Sequence, residues 1–232
     1  MASTELSSHL DHLVVIAPDL ASGVAWCEAT LGITPGPGGE HPLMGTHNRL
    51  LRIDSPAFVG AYLEIIAINK IAEPQRQATL KRWFDMDDDA MMQGIERKGP
   101  RLCHWVARVP QLPEVVDRWS ALGLDAGRVL QAQRPTPQGL LQWQISVRDD
   151  GARLLQGCLP TLIQWGEVHP TSSMAHSGVV LREFSVQHPH AELLGVALED
   201  AGLQGVHVTT GPVAMQALLQ TPRGEVVLSS SS

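Results

Sequence analysis

The stretch LDHLVVIAPDL, Leu10 to Leu20, decides the fold once it is set beside RLCHWVARVPQL, Arg101 to Leu112. His12 and His104 stand 92 residues apart, and so do Pro18 and Pro110, so the two segments align without a gap. Each is an apolar run with an early histidine that ends at a proline, which cannot continue a central ladder. Each leads into an amphipathic stretch of helical length, LASGVAWCEATLGI from Leu20 and LPEVVDRWSALGL from Leu112. Both carry Leu-Gly near their ends, as a helix C-terminus prefers.

A fainter third copy runs through VLREFSVQHPHAELLGVALEDAGL, Val180 to Leu203. A shift of 79 places Pro189 on Pro110 and Leu203 on Leu124, and puts Glu183 where the histidines stood. Strand patterns follow each helix: THNRLLRI and AYLEIIAI first, LLQWQISV and TLIQWGEV second, GVHVTT, MQALLQT and GEVVLSS third. The turn-rich PTPQG precedes LLQWQISV, and a charged helix-and-loop connection is expected over Glu73 to Gly99. A period this long is wrong for a solenoid and suits duplicated α+β modules. The expected class is therefore α+β, with βαβββ modules over 9–98 and 99–175 and a βαβββ-like third module over 176–229.

A chain of 232 residues with 44% apolar and 18% charged residues can bury a real core. Its formal charge of −7 lacks the basic footprint of a nucleic-acid binder. No apolar run approaches the roughly 20 residues of a membrane span, and MASTELSS has neither a basic start nor an apolar core, so a cytoplasmic location is expected. Cys27, Cys103 and Cys158 are odd in number and set in apolar sequence, which predicts buried thiols. The terminal SSSS is expected to fray.

Two kinds of polar residue interrupt the apolar strands. Glu64, in YLEIIAI, would lose hydration there and needs a partner, a metal or a wet cavity. Aligned apolar flanks put Gln164, in TLIQW, at the equivalent place. A histidine on a strand is equally an ordinary core residue. The shared register of His12 and His104, answered by Glu64 and Gln164, favours a common cavity between paired modules. Two imidazoles and a carboxylate could ligate Fe(II), Mn(II), Ni(II), Co(II) or Zn(II), and sequence does not choose among them. His47 and Arg49 share one face of THNRLL and Asn48 the other; these three, with Trp83 and Trp143, are candidate substrate contacts.

This arrangement resembles the vicinal oxygen chelate superfamily, which includes glyoxalase I, extradiol dioxygenases and bleomycin resistance proteins. The segments LDHLVVIAPDL, LGITPGPGGEHPLMGTHNRLLRI, YLEIIAI, RWF and LPTLIQW are similar to its glyoxalase-like domain branch. The resemblance implies metal ligands at His12, Glu64, His104 and Gln164, Glu64 as the catalytic proton carrier, and a homodimer. It implies a divalent-metal-dependent lyase, isomerase or dioxygenase acting on a small oxygen-rich molecule, or else a metal-free binding protein of the bleomycin-resistance type. Gln164 departs from glyoxalase I, which carries a glutamate there, and an amide cannot accept a proton at neutral pH.

Three other motifs carry less. DMDDDAMMQGIE, Asp85 to Glu96, spaces its acids like a calcium loop but has alanine where that loop needs glycine, and reads as an acidic helix start. PGPGGE, Pro35 to Glu40, follows a helix rather than a strand, so no nucleotide cofactor is expected, and it reads as a mobile connection. The serines of SSMAHSG lack a nucleophile elbow.

Overall fold

The computed structural model describes residues 7–136 and 139–231. Residues 1–6, the 137–138 part of PTPQG, and residue 232 lie outside the described residues.

The first module runs β1 (His9–Ile16), α1 (Leu20–Leu31), β2 (Glu40–His41), β3 (Thr46–Arg52) and β4 (Tyr62–Ile68). A connecting helix, α2 (Asp89–Lys98), leads to the second: β5 (Arg101–Arg108), α3 (Leu112–Ala121), β6 (Arg128–Thr136), β7 (Gly139–Val147) and β8 (Thr161–Trp165). The third runs β9 (Val180–Gln187), α4 (Ala191–Asp200), β10 (Val206–Thr209), β11 (Ala214–Thr221) and β12 (Gly224–Ser229). Local chemistry sets the helix ends. Asp19 accepts from the Ser22 N–H at 2.7 Å to start α1, and Gly32, at φ 76°, ends it in the left-handed conformation that glycine adopts without strain.

The first two modules share one eight-stranded mixed sheet in the order β2-β3-β4-β1-β5-β8-β7-β6. In each, the first strand lies parallel to the last, and β1 meets β5 antiparallel at the join. This is the expected duplication. The third module, with a four-stranded sheet of its own, has the same element order but a different strand order, β10-β9-β11-β12, so its first strand pairs with the second and third instead of the last.

Alternation along the strands sorts two cores. Leu13, Val15, Leu63, Ile65 and Trp105 face α1, α3 and the third module, joining Leu181, Phe184, Val186 and Met215 in one buried cluster. Trp119 of α3 donates to the Ala197 carbonyl of α4 at 2.9 Å, and Leu181 N–H to Ile53 O at 2.7 Å, tying the third module on. On the concave face, Val14, Ile16, Ile66, Val106 and Ile163 are covered by Trp83, Phe84, Met86, Met91 and Ile95. The connecting segment is thus a plug that fills part of the cleft.

Several expectations change. β2 and β6 are additional edge strands, and an edge position is what tolerates Pro135. PGPGGE is no free connection, because Gly36 exchanges backbone hydrogen bonds with Leu50, and Gly39 O accepts from Asn48 N–H. Of the terminal serines, Ser229 ends β12 and Ser230 bonds Met215 through both backbone and hydroxyl. The acidic helix start is present, with Asp88 capping α2 through the Met91 N–H. Asp85 and Asp87 are engaged by Arg153 and Arg82. Cys27, Cys103 and Cys158 are buried free thiols. No helix among the described residues is long and apolar enough to cross a membrane.

Candidate functional site

The same irregularity marks the first strand of every module. Register skips Asp11 on β1, Cys103 on β5 and Arg182 on β9, so each strand carries a one-residue bulge just before the position of His12, His104 or Glu183. A bulge breaks the two-residue alternation and re-aims side chains. In module one it lets Asp11 reach its neighbour, and His12 donates from Nδ1 to Asp11 Oδ1 at 2.8 Å.

Asp11 is fully buried, yet Trp165 and His169 both donate to its Oδ2 at 3.0 Å. Burial would raise its pKa, but the hydrogen bonds from His12 and His169 outweigh this and hold the carboxyl far below its usual range. His12 stacks on Tyr62 with ring centroids 4.5 Å apart, and its Nε2 lies 3.6 Å from Glu64 Oε2. Asn48 donates to Glu64 Oε1 at 2.6 Å while accepting from Gly39 N–H at 2.8 Å. His41 completes the group, with Nε2 3.3 Å from Asn48 Nδ2 and 3.9 Å from Glu64 Oε1. Burial pushes the His41 imidazole down to about 4, against the opposing pull of Glu64, so it is neutral at pH 7. His12, His41, Asn48 and Glu64 border a cavity of about 40 Å³, walled also by Trp83, Phe84, Trp143 and Trp165.

The glyoxalase-like domain family model matches residues 10–202. The chain belongs to this family. No curated protein matches it. Among solved structures, a hypothetical protein from Staphylococcus aureus superposes with a TM-score of 0.60 at 14% identity, covering 89% of this chain and 87% of that one, a likeness of fold. Methylmalonyl-CoA epimerase from Mycobacterium tuberculosis gives a TM-score of 0.39 at 15% identity over 75% of this chain and 97% of that one. The paired modules are the vicinal oxygen chelate fold.

Within this glyoxalase-like chain the predicted ligands do not converge. His104 lies in a separate cavity, behind the wall that Trp83 and Phe84 form, with its ring 5.1 Å from Phe84. Its Nδ1 donates to Gly157 O at 3.2 Å, and its Nε2 accepts from Thr161 N–H at 3.1 Å and Thr161 Oγ1 at 3.0 Å. Burial, with Arg153 nearby, holds it well below the ordinary histidine range and therefore neutral. Gln164 faces the other side of the sheet, where its Oε1 accepts from Leu112 N–H at 2.9 Å and caps α3. The register equivalent of Glu64 is Thr161: Val14 pairs with Glu64, and Val106, its counterpart 92 residues on, pairs with Thr161. His12, Glu64, His104 and Gln164 thus do not fit a shared metal ion, and among the described residues no three His, Cys, Asp or Glu side chains form such a group.

Of the predicted substrate contacts, Asn48, Trp83 and Trp143 border the Glu64 cavity. His47 and Arg49 lie on the face of β3 that carries Leu51, away from it. Sequence reasoning missed Asp11, His41, Tyr62, Trp165 and Arg134. The available signal was the density of polar and aromatic residues within HLDH, EHP and LIQW.

Proposed function

We propose that this glyoxalase-like protein is a proton-transferring isomerase or lyase acting on a small oxygen-rich molecule. Glu64 is the base. It takes a proton from a hydroxyl-bearing carbon beside a carbonyl, and the electron pair moves onto the carbonyl oxygen to give an enediolate. The proton returns to the former carbonyl carbon, while the hydroxyl gives up its own proton to the other oxygen and becomes the new carbonyl. The observation that carries this is the buried line Asp11, His12, Glu64. Asp11 fixes which ring nitrogen faces the cavity, while Asn48 orients Glu64. The aromatic wall lowers the polarity around these groups and keeps their interactions strong. Dioxygenase chemistry finds no comparable support in the arrangement of donors.

Proton NMR in D2O tests this on a panel of short 2-oxo acids, hydroxyketones and thioesters. Protein-dependent exchange of a carbon-bound proton is expected for at least one compound, falling by about 10²–10⁴-fold in Glu64→Gln. Absence of exchange across the panel, or undiminished exchange in Glu64→Gln, would overturn it. A sequestering protein built on the same aromatic wall would instead bind a panel member without exchanging it.

A further inference from the structure

Among the described residues, two donors around the Glu64 cavity have no partner. Arg134 Nη1 and Trp83 Nε1 are shielded from solvent and lack any hydrogen-bond acceptor among the described residues. Both residues border the cavity, and Trp83 is only 8% exposed. Buried donors are almost always paired, and an unpaired guanidinium N–H is the more unusual of the two. The carboxylates nearby do not satisfy them. Asp11 is held by His12, His169 and Trp165, and Glu64 accepts from Asn48.

Arg134 is also placed at a structural junction. It lies on β6, one edge of the eight-stranded sheet, and reaches Gly39, which directly precedes β2 at the other edge. A Cβ added to Gly39 would fall 1.5 Å from Arg134 Nη1, so any larger residue there would make the guanidinium shift from its place. The sheet curls until its two edges meet there. Arg134 brings a fixed positive charge to a cavity in which the His41 imidazole is neutral.

We propose that Arg134 and Trp83 form the oxygen-holding end of the cavity and receive the carboxylate of a short-chain carboxylic acid substrate. An arginine fork matches a carboxylate in shape and charge. A space of about 40 Å³ suits a group of a few heavy atoms, such as the carboxylate end of a small 2-oxo acid. The assignment rests on the Glu64 cavity being the substrate site, and it gives that site two ends: donors for the carboxylate and Glu64 for the proton-bearing carbon on the far side of the 2-oxo group.

The test uses protein labelled with 15N-tryptophan and titrated with acetate, with acetamide as the neutral match. The Trp83 indole N–H resonance is identified by its loss in Trp83→Phe. Acetate is expected to shift it saturably, with acetamide at least about tenfold weaker. Arg134→Leu should weaken acetate by about tenfold or more. Gly39→Ala, which displaces the guanidinium without removing its charge, should weaken it also, so the result does not hang on one variant's folding. Glu64→Gln should keep the response and tighten it several-fold, because a like charge is removed. No saturable shift in the parent protein, equal response to acetamide, or a response unchanged in both Arg134→Leu and Gly39→Ala would overturn the proposal. Since Glu64→Gln retains acetate binding whether or not Glu64 moves protons, the two ideas fail separately.

Discussion

Asp11-His12 and Cys103-His104 occupy the same bulged position of two repeated strands, yet they are built for different work. In the first module the residue before the histidine is a carboxylate, and the strand opposite presents Glu64. In the second it is a thiol, and the strand opposite presents Thr161. His12 therefore faces a cavity between two carboxylates, whereas His104 spends both nitrogens on Gly157 and Thr161 and serves as a buried cross-brace. A shared backbone position does not carry shared chemistry; the neighbours on the next strand decide it.

The sharpest way to break this contrast is to exchange the flanking residues. Asp11→Asn should lower proton exchange by about 10²–10⁴-fold, because an amide no longer fixes the His12 tautomer. Cys103→Ala should leave the rate within about twofold; a comparable loss there would put the second module in the machinery after all. Next in size, His104→Ala should cost about 3 kcal/mol in urea unfolding, from the cavity and the stranded partners at Gly157 and Thr161. Exchange by the folded fraction should be intact.

Acid separates the two histidines from Asp11 by pH window. His104 and His41 are held below their unfolded values, so their contribution is complete above about pH 6.5 and declines as the unfolded chain takes up protons below it. For His41, with a folded value of about 4, this amounts to at most about 3 kcal/mol between pH 6.5 and 4. Asp11 is also depressed, but from the carboxylate range, so its share is complete above about pH 4 and is lost only below that. Urea midpoints from pH 7 to 3 should fall in these two stages, and His41→Gln should flatten only the upper one. The smallest effect is expected from Gln164→Ala, about 1 kcal/mol from the lost α3 cap, with acetate binding unchanged. A loss of binding would return Gln164 to the cavity.

Much of the fold was legible because apolar periodicity and the spacing of His12, Pro18, His104 and Pro110 report backbone repetition directly. The site was only half legible. Period-two alternation puts Asp11 and His12 on opposite faces, and the bulge that overrides it depends on pairing with β5, which one strand's sequence does not encode. Matching Gln164 to Glu64 by apolar flanks was three residues out, since Thr161 holds the paired register. His41 lies on a two-residue edge strand, and Arg134 on one interrupted by proline, so neither shows a strand pattern.

The partners of Asp11 have a consequence for how the chain comes together. Trp165 and His169 are 154 and 158 residues downstream. During synthesis the first module emerges with its deepest carboxylate lacking two of its three donors, and it must stay open to water until β8 arrives. Assembly of the site is therefore a late, long-range event, governed by docking of the second strand run and not by folding of the segment that supplies His12 and Glu64. A fragment ending at residue 98 should fold poorly on its own, and adding the 99–175 segment in trans should restore it.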